Sequence, residues 1–133
     1  MKKICCIYSR NKLDFKKYAK STKYDDVINY NDITSKLIKN DINSIKPSTI
    51  VINSYIRKKL LKALENEKSK AILYALKTLE KDTVSAIKEL IADYHTDEYE
   101  MNLIVLNPEK LKINIEEYVE FLEQFDKIEY VEV

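Results

Sequence analysis

The turn after the first apolar run, Tyr8-Ser9-Arg10-Asn11-Lys12, places a hydroxyl, a guanidinium and an ammonium close together. Cations beside a hydroxyl are what is needed to hold an anion such as a phosphate. Asp32 and Asn53 stand at the ends of the next two apolar runs. With Ser9, Arg10 and Lys12 they make up a candidate cleft, in which an aspartate suits a base acting on a hydroxyl. Two lysine-rich runs offer a different chemistry. Lys16, Lys17 and Lys20, followed by Lys23, have Tyr18 and Tyr24 interleaved, and Arg57, Lys58, Lys59 and Lys62 form a second group. Together they are a candidate basic face for phosphates, provided both runs share one side of the molecule. His95, the single histidine, reads first as a helix-end residue and second as a general base between Asp93 and Asp97.

Other chemistry is missing. The chain contains no glycine. A phosphate-cradling loop needs inward-pointing amides and residues at positive φ, which glycine supplies most readily. Neither the Walker pattern nor the dinucleotide fingerprint is therefore present. No HExxH, nucleophile elbow or cysteine–histidine pairing occurs either. Cys5 and Cys6 are adjacent, so they are expected as buried thiols on opposite sides of a strand rather than as a disulfide. The acidic groups Asp97-Glu98-Glu100 and Glu116-Glu117-Glu120 read as solvated charge. No metal or cofactor is expected.

The 133 residues suit a single domain, 1–133, and 45% hydrophobic content supports a real core. The net charge of +1 conceals a segregation. Residues 1–70 hold 17 Lys/Arg against 7 Asp/Glu, and residues 71–133 hold 6 against 15. Such a chain suits an acidic protein partner or nucleic acid unless its halves interleave. Without a signal-like start or a membrane-length apolar run, a cytoplasmic protein is expected. The richness in Lys, Ile, Asn and Tyr fits an AT-rich coding source such as a virus or mobile element.

These residues need elements to position them. Strands are expected at Lys3–Tyr8, Val27–Tyr30, Thr49–Asn53, Ala71–Leu76 and Ile128–Val133, with Met101–Leu106 a short strand or an apolar turn. Thr49–Asn53 is the clearest by its β-branched content. Helices are expected at Lys12–Lys20, with Leu13, Phe15, Tyr18 and Ala19 inward, from Asn31-Asp32, and at Arg57–Glu67. Another should start at Asp82 as its N-cap, and a last one should span Ile115–Phe125 with Ile115, Tyr118, Val119, Leu122 and Phe125 on one side. Residues 71–94 read as strand plus helix in preference to one long helix. Alternating strands and helices imply a three-layer α/β fold, with a mostly parallel sheet of about five strands flanked by helices.

The element order and several local strings resemble the P-loop kinases of the polynucleotide kinase type. Lys2–Tyr8 resembles that family's first strand. Val27–Asp32 resembles the segment carrying the acceptor-activating acid, which places Asp32 there. Thr49–Lys59 resembles the third strand and its basic helix, and Ile113–Tyr118 through Ile128–Val133 the closing helix and strand. The chain departs from the pattern where catalysis needs it. The phosphate loop is absent, Asn53-Ser54 stands where an acid is expected, and no arginine follows Arg57 to clamp a phosphate. The resemblance thus implies a P-loop-kinase-like scaffold without the P-loop, reused for binding. The expected function is non-catalytic binding of a macromolecule, such as a host protein that it inhibits or modulates, with a homodimer compatible. Nucleic-acid binding through the basic first half and a cryptic nucleotide or phosphoester enzyme are the alternatives.

Overall fold

The computed structural model describes residues 2–29, 49–93 and 98–133, and of 49–52 the backbone alone. The expected helix from Asn31-Asp32, and with it Tyr30, Asp32 and His95, lies outside the described residues. The elements in order are β1 (Lys2–Tyr8), α1 (Lys12–Ser21), β2 (Asp26–Ile28), α2 (Thr49–Glu65), β3 (Ala71–Ala75), α3 (Lys81–Asp93), β4 (Tyr99–Leu106), two 3-10 turns (Pro108–Lys110 and Ile115–Glu117), α4 (Val119–Leu122) and β5 (Lys127–Val131). The five strands form one sheet in the order β2-β3-β1-β4-β5. Every neighbouring pair is parallel, as the strand–helix alternation implied.

Successive side chains of a strand point to opposite faces, so β1 feeds two cores. Ile4 and Cys6 join Ile72, Met101, Leu103 and Val105 on one face. That face is covered by Leu60, Ala63 and Leu64 of α2, by Val84, Ile87, Leu90 and Ile91 of α3, and by Ile115 and Phe121. Cys5 and Ile7 join Leu73, Ile104 and Leu106 on the other face, where Phe15 and Tyr18 of α1 lie over them. The two layers follow from the strand order. The chain moves one way along the sheet from β1 to β2, and the other way from β2 to β3 and from β3 to β4. Right-handed crossovers in opposite directions put their helices on opposite faces.

Side chains fix the joints. Lys2 Nζ donates to the carbonyls of Ala63, Leu64 and Asn66 at 2.9, 2.9 and 3.1 Å, closing the C-terminus of α2. The Asp25 carboxylate accepts from the N–H groups of Lys70 and Ala71, each at 2.8 Å, and so ties β2 to the start of β3. Asn107 ends β4 in the left-handed region (φ 45°), which asparagine tolerates better than most residues. Its N–H donates to Val131 O at 2.7 Å and its Oδ1 accepts from Val133 N–H at 2.9 Å, anchoring β5.

Several expectations change. Thr49–Asn53 is the start of α2 and not a strand. Its β-branched residues lose only a few tenths of a kcal/mol each in a helix, and they run directly into a strong helix-forming stretch through Arg57–Glu65. The place beside β1 goes instead to Ala71–Ala75. Residues 71–93 do form strand plus helix, but Asp82 lies inside the first turn of α3 and is not its cap. Leu13 is 70% exposed, so α1 buries only Phe15, Tyr18 and the carboxylate-bearing Asp14. The expected helix over Ile115–Phe125 is a 3-10 turn and the one-turn α4, broken at Tyr118 (ψ 56°). Its core residues are Ile115 and Phe121, while Tyr118 and Val119 are exposed. β4 is a full strand, and β5 is the sheet edge. Among the described residues no helix is long and apolar enough to cross a membrane.

The burial differences set stability. Ile72, fully buried under α2 and α3, should cost about 2–5 kcal/mol as Ile72→Ala. Leu13→Ala should stay within about 0.5 kcal/mol. Urea denaturation of both variants checks the pair. The two backbone donors hold the Asp25 carboxyl below the usual carboxylate range. A carboxyl lowered on folding adds stability above its unfolded value, and that contribution fades as pH falls through the lower folded value. Asp25→Asn should therefore flatten the acid limb of the stability curve below about pH 4, read by denaturant midpoints at successive pH values.

Candidate functional site: a cationic track on the α1 layer

The loop from β1 to α1 makes its turn without glycine by using side chains. Ser9 Oγ donates to the Asn11 carbonyl at 2.6 Å and accepts from the Asn11 N–H at 3.3 Å. Asn11 is extended (φ −139°, ψ 161°), and its Oδ1 accepts from the Asp14 N–H at 2.9 Å as the N-cap of α1. Two amides that a phosphate-binding loop would aim at a ligand are thus already bonded to the protein. Asn107 is the single positive-φ residue among those described, and it lies outside this loop. Any anion held here meets side-chain cations rather than a backbone nest.

The loop borders a crevice of about 260 Å³ at the carboxyl ends of β1, β2 and β3, lined by Ser9, Arg10, Asn11 and Lys12 together with Asn29 and Lys77. Adjacent β1 and β3 send their helices to opposite faces here, which is where open parallel sheets leave room for ligands. Arg10 Nη1 donates to the Lys110 carbonyl at 2.8 Å, so the guanidinium is fixed against the turn after β4.

A second groove, of about 420 Å³, adjoins the crevice through Asn11 and runs along α1. It is lined by Leu13, Asp14, Lys16, Lys17, Lys20 and Lys110. Asp14 is the one acid among these lining residues. It is buried, and Lys110 Nζ lies 3.8 Å from its Oδ1. Lys12, Lys16 and Lys20 recur every four residues and make a stripe about 12 Å long on the helix. Part of the basic excess of residues 1–70 is thus gathered on this layer.

The structure brings Ser9, Arg10 and Lys12 together as the sequence implied. Asn53 lies elsewhere, in a groove of about 300 Å³ on the opposite layer with Arg57, Thr83 and Tyr74. Burial pushes the Tyr74 phenol up to about 12. The candidate basic face is split. Lys16, Lys17 and Lys20 lie on α1, whereas Arg57, Lys58, Lys59 and Lys62 lie on α2 across the sheet. Lys110 and Lys77 were not anticipated. Lys110 follows β4, 90 residues beyond Lys20 in the chain, and no local pattern marks it. Asn11 was legible as a residue type that caps helices. Cys5 and Cys6 are free and buried on opposite faces, and burial pushes both thiols up. Among the described residues no group of three or more His, Cys, Asp or Glu is placed to hold a metal ion.

No protein family, curated protein or solved structure matches this chain.

The Asn11 cap holds the turn joining crevice and groove. Asn11→Ala should cost about 1 kcal/mol, whereas Asn11→Asp, which keeps the acceptor, should cost a small part of that. Thermal and urea unfolding of the two variants measure the difference.

Proposed function

We propose that this chain binds nucleic acid along the α1 layer, with phosphates on the lysine stripe and at the adjoining crevice. One observation carries the reading: two contiguous depressions meet at Asn11 and gather Arg10, Lys12, Lys16, Lys17, Lys20 and Lys110. Among the described residues, the only acid side chain lining either of them is buried and faces a lysine. Cations set in a row favour a linear polyanion, because each phosphate neutralised releases condensed counterions. The protein partner expected from charge segregation would not need a continuous track of this kind. Exposed Leu13 lies among the lysines and gives a base or sugar an apolar contact. Lysine contacts of this sort fix position on a strand and carry no sequence code, so the binding is expected to be sequence-tolerant.

Fluorescence anisotropy with a labelled oligonucleotide of mixed sequence tests this. Binding should weaken steeply with salt. Lys16→Glu, Lys17→Glu and Lys20→Glu together should lower affinity about 100-fold or more and reduce the log–log salt slope by about 2–3. Arg57→Glu, Lys58→Glu and Lys59→Glu on the opposite layer should change affinity less than about 3-fold. Absence of wild-type binding at low salt overturns the proposal, and so does equal loss from the two triple variants.

A further inference from the structure

We infer that this chain forms a two-fold dimer by antiparallel pairing of β5 with β5 of a second copy, centred on Ile128. Among the described residues β5 bonds to β4 on one side and to nothing on the other. The strand is regular, without the proline or bulge that closes many open edges, and its charges, Lys127 and Glu129, are of opposite sign. Val131 O accepts from Asn107 N–H, which turns its backbone groups toward β4. By strand alternation Lys127 and Glu129 face β4 as well, while the N–H and C=O of Ile128 and Tyr130 point outward from the sheet. These outward groups belong to exposed apolar side chains, Ile128 at 37% and Tyr130 at 49%. In register they lie beside the buried Leu103 and Val105. A strand added at this edge would therefore extend both the hydrogen-bond ladder and the apolar face.

The charges favour a second copy as the occupant and the Ile128-centred register, in which opposite charges pair. Only an antiparallel copy placing outward residues opposite outward residues can exchange backbone bonds. Centring on Glu129 sets two like charges directly opposite each other, which is unfavourable. Centring on Ile128 lets the two Ile128 residues exchange backbone bonds, and it puts Lys127 of each copy opposite Glu129 of the other. Lys127 already lies 3.0 Å from Glu100, yet its side chain stays 65% exposed and can reach both acids. The chain thus carries on one edge the self-complementary pattern that a two-fold interface requires. Because the axis stands perpendicular to the joined sheet, both α1 layers come to lie on the same side of a ten-stranded sheet. The dimer does not depend on the nucleic-acid reading, although it would set two cationic tracks side by side.

Sedimentation equilibrium of the full chain should show a monomer–dimer equilibrium. Glu129→Lys, which leaves an exposed position exposed and sets Lys127 against a lysine, should raise the dissociation constant at least about 10-fold with an unchanged circular dichroism spectrum. Ile128→Cys should cross-link the two chains under mild oxidation, since directly opposed Cα atoms in a bonded pair are about 5.5 Å apart, within disulfide range. Tyr130→Cys, set opposite Asp126 of the second copy, should not. A monomer at every concentration overturns the inference, as does a dimer indifferent to Glu129→Lys. Cross-linking at Tyr130→Cys instead of Ile128→Cys overturns it too.

Discussion

Strand β1 is buried on both faces, and the rest of the structure depends on that burial. Ile4, Cys6 and Ile7 are at most 1% exposed, and Cys5 little more. A strand in this position must have a neighbour on each side and a layer above and below. β3 and β4 supply the neighbours, and α1 faces α2 and α3 across the sheet. Opposed crossover directions around β1 then force the helices onto different faces. The crevice is a geometric result of the same reversal, since the chain leaves β1 toward one layer and leaves β3 toward the other.

The two layers are unequal, which shapes the surface. The face under α2 and α3 has extensive apolar cover, whereas α1, 10 residues long, is the one helix described on the other face. The part of that face it leaves open is polar. Glu100 lies between Lys3 and Lys127, at 3.9 and 3.0 Å, in a ladder of charge across β1, β4 and β5. Such exposed pairs add little stability individually. Their role is to let a sheet face meet water where none of the described helices covers it. The hydrogen bond and charge of Lys127 hold the Glu100 carboxyl below its usual range, which extends the ionised ladder toward lower pH.

The lack of glycine acquires a local meaning in the β1–α1 loop. A glycine-rich loop would free its amides for a ligand, but this one bonds them to Ser9 Oγ and Asn11 Oδ1. Those two amides are thereby withdrawn from backbone recognition of phosphate. What remains available is the outward set of long cationic side chains. Arg10, held by the Lys110 carbonyl, joins the two parts of that set.

Much of the architecture was legible in the sequence. Continuous apolar runs identified β1 and β3, the Asn11 and Lys12 boundary began α1, and strand–helix alternation implied the parallel sheet. These signals are local, because they come from hydrophobic period and capping chemistry. Ser9, Arg10 and Lys12 fell together for the same reason, being neighbours on one turn. The segment Thr49–Asn53 shows where such signals stop. Its β-branched content favours a strand by only a small margin per residue, and helix continuity with competition for a place in the sheet outweighs it. The grouping of Lys110 with α1, and the separation of α1's lysines from those of α2, depend on which face each crossover takes. The sequence by itself determined most of the element types, with Thr49–Asn53 and Ile115–Phe125 as exceptions, and the residues of the first turn. Only the tertiary structure decided which charges share a surface, because crossover direction and strand order are set by packing around β1 and not by any stretch of chain alone.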